Sequence, residues 1–174
     1  MHTRTRTRTR LRLTAAAAST LLIAGAVAST AASAAPAAQA APATALVTNA
    51  RIAGHCTFDR IVIDVKGSLP PTTVKRVSVL RYDASGKKVP LAGKRFLEIK
   101  LSPAAAHNAA GKNVYKGPRL TRPNLPKLKG FALTGDFEGV VTFGAAFNSR
   151  PDYTTKRLHN PERFVLDISH RNTC

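Results

Sequence analysis

Apolar and polar residues alternate with a period of two along much of the chain after residue 51, the spacing that turns one side of a strand toward a core and the other toward water. Over 95–101, Leu97, Ile99 and Leu101 form the apolar phase, while Phe96 falls in phase with Glu98 and Lys100. Val77 and Val79 alternate with Arg76 and Ser78, and Asp83-Ala84-Ser85-Gly86 then supplies a hairpin turn. The pattern predicts strands over 60–66, 74–82, 95–101, 130–134, 140–147, 153–158 and 163–169, punctuated by Pro and Gly. Helical periodicity is nearly absent beyond the N-terminal leader, apart from one short turn over 103–110. The expected fold is all-β, an antiparallel β-sandwich, with an open barrel as the neighbouring alternative.

One strand is written twice. Asp59-Arg60-Ile61-Val62-Ile63-Asp64-Val65 and Glu162-Arg163-Phe164-Val165-Leu166-Asp167-Ile168 both read acid, Arg, apolar, Val, apolar, Asp, apolar. The likeness predicts two related halves. It arises either by duplication or because amphipathic strands draw on few residue types. Arg60 and Asp64 share the polar phase of one copy, and Arg163 and Asp167 that of the other. These four are either part of a ligand-binding face or exposed cross-strand ion pairs, each worth well under about 1 kcal/mol.

Composition adds a leader and a compartment. Arg4, Arg6, Arg8, Arg10 and Arg12 precede an Ala/Leu/Ile run and then Ala32-Ser33-Ala34, the layout of an export signal over 1–34. Cleavage falls there or a few residues later, at Ala38-Gln39-Ala40. The apolar run is short and Ala-rich for a membrane span, and no Cys near the cleavage site offers a lipid attachment point. A secreted chain with no stable membrane span is therefore expected, a retained anchor being the alternative. Residues 35–50 are Ala, Pro, Thr and Gln with little else, a composition that predicts a flexible, disordered Ala/Pro-rich linker. One domain, 51–174, remains.

The chain has a formal charge of +18. Without the five leader arginines, 22 Lys and Arg stand against 9 acidic residues, or +13. A basic exported protein is drawn to polyanions such as wall polymers, anionic head groups or stray nucleic acid, unless its charge serves only solubility and loose wall retention. Three tyrosines, no tryptophan and an export signal argue against a dedicated nucleic-acid platform. Cys56 and Cys174, the only cysteines, are expected to pair in an oxidising compartment, with free thiols or an intermolecular bridge as alternatives.

The long segment 102–129 holds Pro103, Pro118, Pro123 and Pro126 together with Lys112, Lys116, Arg119, Arg122, Lys127 and Lys129. With Tyr115 it forms either a polyanion-binding edge or a solvated loop. The candidate ligand-binding residues are therefore Arg60, Arg163, Lys112, Tyr115, Lys116, Arg119 and Arg122. Asp136 and Glu138 form the one pair of acids reminiscent of glycosidic chemistry, but a glycine-bounded turn explains Gly135-Asp136-Phe137-Glu138-Gly139 without it. His55, His107, His159 and His170 are scattered without metal-ligand spacing, and no nucleophile-elbow motif occurs. No catalytic residue, metal or cofactor is expected, and the chain reads as non-enzymatic.

Three segments taken in order, Gly54 to Asp64, Gly135 to Gly144 and Pro161 to Ile168, resemble the AMIN-like domain of secreted proteins and lipoproteins of high-GC Gram-positive bacteria. The resemblance covers about 51–170. It implies a symmetric β-sandwich related to AMIN domains, which target wall amidases and secretion pores to the envelope by binding peptidoglycan. The chain departs from the lipid-anchored members in lacking a lipobox Cys. The implied partner is peptidoglycan or an attached anionic wall polymer. The alternative is a protein-interaction module, an inhibitor or adaptor of a wall enzyme, and a small hydrolase acting through Asp136 and Glu138 is a distant third.

Overall fold

The computed structural model describes residues 43–174, and the expected export signal over 1–34 and residues 35–42 of the expected linker lie outside them. Ten strands follow in order: β1 (Ala45–Gly54), β2 (Phe58–Lys66), β3 (Thr72–Val77), β4 (Arg95–Leu101), β5 (Ala104–Ala105), β6 (Leu120–Thr121), β7 (Leu128–Phe137), β8 (Val140–Phe147), β9 (Tyr153–Leu158) and β10 (Arg163–Ser169). They form two five-stranded sheets, ordered β5-β1-β2-β10-β9 and β3-β4-β8-β7-β6. All pairings are antiparallel except that of β5 with β1. Periodicity alone located β4, β8, β9 and β10 to the residue and the middles of β2 and β7.

Three expectations need correction. The linker over 35–50 is not a linker from residue 45 onward: β1 begins there and buries Ala45, Val47 and Ala50. Ala45-Leu46-Val47-Thr48-Asn49-Ala50 carries strand-forming Leu, Val and Thr, and composition averaged over the Ala/Pro-rich window 35–50 hides the alternation that marks it. The turn over 103–110 is not helical; Ala104–Ala105 instead runs parallel to β1. The strand over 74–82 stops at Val77, after which only the Arg81–Lys88 bridge remains, closed by Gly86 at φ 65°.

The inner faces meet in one core. Ile61, Ile63, Phe164, Leu166 and Ile168 of the first sheet pack against Leu97, Ile99, Leu101, Phe131, Phe143 and Phe147 of the second. Phe131 stacks on Phe143 with ring centroids 5.3 Å apart. Phe96, out of phase in the sequence, faces the other way and joins a second cluster with Leu80, Val89, Leu91, Ala132 and Ala146. The β3–β4 connection supplies Leu80, Val89 and Leu91, and it lies over the outer face of the second sheet. Glycine makes this closeness possible: a Cβ at Gly144 would stand 2.7 Å from Leu80, and one at Gly130 would stand 2.8 Å from Leu91. Among the described residues the first sheet has no such cover, so its outer face is the open one.

The two copies of the repeated strand lie side by side at the centre of the first sheet. In β10 against β2, Val165 faces Val62, Asp167 faces Arg60 and Arg163 faces Asp64. A strand with Arg and Asp four residues apart, laid antiparallel against its own likeness with the central valines paired, sets each Arg opposite an Asp. Asp59, the first residue of the repeat, is 0% exposed. Its Oδ2 accepts the backbone N–H groups of Lys127 and Leu128 at 2.8 and 2.7 Å, tying the first sheet to the start of β7 in the second. Its Oδ1 stands 3.3 Å from His170 Nε2. A buried carboxylate needs such partners, because the cost of desolvating it unpaired is several kcal/mol.

Cys56 and Cys174 form a disulfide across a sequence separation of 118, Cα to Cα 5.1 Å. Backbone bonds from His170 to Thr57 and from Thr173 to Cys56 bind the C-terminal tail along the same edge. Closing so long a loop removes unfolded-state entropy worth about 4–5 kcal/mol on the chain-entropy account. Cys56→Ser with Cys174→Ser is expected to shift the denaturant midpoint down by a stability loss of about 3–5 kcal/mol, while the circular-dichroism spectrum in water stays that of a β-protein.

Candidate functional site on the open sheet face

The outward phase of the first sheet is built by strict alternation. Phe58, Arg60, Val62 and Asp64 point outward from β2 while Asp59, Ile61, Ile63 and Val65 are buried beneath them. In register beside them lie Arg51 and Ala53 of β1, Arg163, Val165 and Asp167 of β10, and Thr154, Lys156 and Leu158 of β9. Arg51, Ala53, Arg60, Val62, Leu158, Arg163 and Val165 line a shallow hollow of about 260 Å³. Its floor is aliphatic and its rim is three arginines.

Two of those arginines are fixed by bidentate ion pairs, the strong geometry for a guanidinium and a carboxylate. Arg60 donates to both oxygens of Asp167 at 2.6 and 2.8 Å, and Lys156 adds a third bond to Asp167 at 3.1 Å. Arg51 donates to both oxygens of Asp64 at 3.0 and 2.7 Å. Each pair spends two of the five guanidinium N–H donors and leaves three for a ligand. Asp64 faces Arg163 across the strands, yet Arg51 has taken it. Arg163 donates only to its neighbour's carbonyl, Pro161 O, at 3.2 Å. Among the described residues it has no carboxylate partner.

An aromatic shelf adjoins this rim. His55 stacks on Phe58 with centroids 4.4 Å apart and planes 23° from parallel, and the Arg60 guanidinium carbon lies 4.8 Å from the Phe58 ring centroid. The hydrogen bonds from Arg60, with Lys156 adding to them, hold the Asp167 carboxyl below the usual carboxylate range despite its burial. The bonds to Asp64 and Asp167 correspondingly raise Arg51 and Arg60.

The basic segment 102–129 does not act as one edge. Lys112 and Lys116 gather with Lys66, Asn49, Asn108 and Asn113 in a hollow of about 630 Å³ beside β1. Arg119 lies instead in a separate hollow with Tyr82, Asp136 and Phe137, and Arg122 reaches Pro90 O at 2.6 Å. The segment crosses from one sheet to the other: Lys116 N–H bonds Thr48 of β1, while β6 pairs with β7. Tyr115, expected on a binding edge, is 4% exposed and belongs to the core. Its ring packs near Phe143 at 5.8 Å, its hydroxyl donates to Pro118 O at 3.0 Å, and burial pushes that hydroxyl well above its ordinary range. A tyrosine among lysines reads as an interface in sequence, but here it plugs the end of the sandwich.

Asp136 and Glu138 diverge. Both Asp136 oxygens are engaged, one by the Ala106 N–H at 2.8 Å and one by His107 Nδ1 at 2.7 Å. Glu138 and Gly139, at φ 48° and 73°, make the two-residue turn of the β7–β8 hairpin, where positive φ at both places suits the strand twist. Among the described residues no three His, Cys, Asp or Glu side chains gather as a metal site.

Of the candidate residues, the structure brings Arg60 and Arg163 together on the open face and Lys112 and Lys116 beside it. Arg51, His55, Phe58 and Leu158 join them there without being among the ligand-binding candidates of the sequence. The signal for Phe58 was present, since an aromatic in the phase of Arg60 and Asp64 is an apolar group turned to solvent. The pairing of Arg51 with Asp64 carries no sequence signal, because only strand register brings the two together.

Asp167 gives a pH test of this array. Its folded-state value is lowered, so the stability it contributes is fully present above the ordinary aspartate value of 3.8 and is lost as pH falls through the lower folded value. Asp167→Asn is expected to cost about 1–2 kcal/mol at pH 7 in urea melts. The gap to the parent chain should hold down to about pH 4 and close below it.

Residues 45–170 match the AMIN-like domain when the chain is compared with known protein families. No curated protein and no solved structure matches it. The match spans every strand described above, and among the described residues no helix is long and apolar enough to cross a membrane. The chain belongs to the AMIN-like domain family, which marks it as a cell-envelope-associated module.

Proposed function

We propose that the chain is an exported, non-enzymatic wall-binding module whose open sheet face engages peptidoglycan. The observation that carries this reading is Arg163: a cation without a carboxylate partner among the described residues, lining one hollow with two pre-fixed arginines and aliphatic side chains. Peptidoglycan offers peptide carboxylates for such a guanidinium and sugar rings for the His55–Phe58 shelf. Because the ion pairs to Asp64 and Asp167 already hold Arg51 and Arg60, little side-chain entropy remains to be lost on binding. A flat face also suits a glycan strand, which has no compact shape to enclose.

The second reading, an adaptor or inhibitor of a wall enzyme, draws support from Phe137, 66% exposed at the β7–β8 tip. Co-sedimentation with purified, polymer-stripped peptidoglycan separates the two, since an adaptor needs its protein partner. The chain should sediment with the stripped wall at moderate salt. Arg163→Gln, which leaves both bidentate pairs intact, should weaken binding about 5–10-fold, and Arg60→Ala with Arg163→Ala should abolish it in a protein that still melts cooperatively. Full binding by that double variant would remove this face from the function.

A further inference from the structure

We infer that a second anion site, for phosphodiester groups, lies where β3, the start of β4 and the β8–β9 connection meet. Arg76, Arg95 and Arg150 line one groove of about 520 Å³ there, together with Val77, Phe96 and Pro151. Three separate stretches of chain supply the three cations. Arg76 faces Leu97 in the β3–β4 register, so Arg95, two residues before Leu97, projects from the same side of the sheet. Arg95 in turn pairs with Phe147, and the chain leaving Phe147 brings Arg150 to the same place.

Arg76 is held in position before any ligand arrives. Its Nη2 donates to Pro151 O at 3.2 Å, and its guanidinium lies 5.3 Å from the Tyr153 ring centroid, a cation–π contact across the two sheets. Neither contact neutralises its charge. Among the described residues none of the three arginines forms an ion pair. The acids closest in sequence do not serve them: Glu98 holds Lys100 at 3.1 Å, and Asp152 is exposed and unpaired. The arrangement thus contrasts with the open face of the first sheet, where two of three arginines are matched by aspartates.

Three unmatched guanidinium groups around one groove repel one another, and the repulsion is relieved when an oxyanion sits among them. Guanidinium forks fit phosphate oxygens bidentately, which is why arginine rather than lysine marks such sites. The groove is too large for a single oxyanion. A phosphodiester chain supplies one charge per repeat, and its polyol links can lie against Pro151. The inference rests on the wall-binding reading only for where such a polymer would be met; the groove lies on the other sheet from Arg163.

The test is a titration of the purified chain with a fluorescent poly(glycerol phosphate) oligomer of about ten repeats, against poly-glutamate of the same length, with no peptidoglycan present. The phosphodiester should bind at least about tenfold more tightly than poly-glutamate. Arg95→Gln with Arg150→Gln should weaken it by about tenfold or more without moving the melting temperature, since neither side chain makes a hydrogen bond or ion pair among the described residues. Arg163→Gln should leave it unchanged. Equal binding of poly-glutamate, or full affinity in the Arg95/Arg150 variant, overturns the inference. Loss of peptidoglycan co-sedimentation alone would count only against the first-sheet face, because this titration contains no wall.

Discussion

The antiparallel pairing of β2 with β10 is the constraint on which the rest of the domain depends. It joins the beginning of the fold to its end, and almost every other feature hangs from one of its residues. Asp59 reaches from it into the second sheet and fixes the start of β7. Ile61, Ile63, Phe164, Leu166 and Ile168 form the floor of the core beneath it. The disulfide and the tail bonds to Cys56 and Thr57 close it at one end. On its outer side Arg60 and Asp167 form a bidentate pair between residues 107 apart in sequence. Such a contact closes a long loop and is entropically expensive to reach.

The two copies of the repeated strand are alike in sequence and unlike in use. Their antiparallel register offers two equivalent Arg–Asp pairs about Val62 and Val165, and only one is made. Arg51, arriving from β1 on one flank, takes Asp64; nothing on the other flank plays that part for Asp167 except Lys156, which shares it with Arg60. The first acids also part ways: Asp59 is fully buried as a link between sheets, whereas Glu162 bonds His159 at the surface. The asymmetry leaves Arg163 without a carboxylate, so the departure from symmetry, not the symmetry, provides a binding group.

A similar division holds between the outer faces of the sheets. The second sheet carries Phe96 and several small residues outward, and the β3–β4 connection covers them with Leu80, Val89 and Leu91. The first sheet carries charges and valines outward and is left uncovered by the described residues. Positive charge far exceeds negative, so after the carboxylates are distributed, unmatched arginines remain, among them Arg163 on the open face and Arg76, Arg95 and Arg150 at the mouth of the β3–β4 edge. Both are compatible with a polyanionic envelope, and they favour different chemistry: an aliphatic floor with an aromatic shelf in one, three unpaired guanidinium groups in the other.

Local periodicity determined most of the strands, because side chains alternate across a pleat wherever one face is buried, and four strands were legible to the residue from that alone. The repeated motif and the two cysteines also stood in the sequence, as did the excess of cations and the family likeness over about 51–170. Tertiary structure decided what no local pattern carries. It made a strand of residues 45–50, the end of an Ala/Pro-rich window, since pairing is backbone chemistry and needs β2 beside it. It withdrew Tyr115 into the core and dispersed Lys112, Lys116, Arg119 and Arg122 to different sheets. It also chose which arginine each aspartate would hold. Charge pairing depends on distances of a few ångströms between residues far apart in the chain, and only strand register and loop path set those distances.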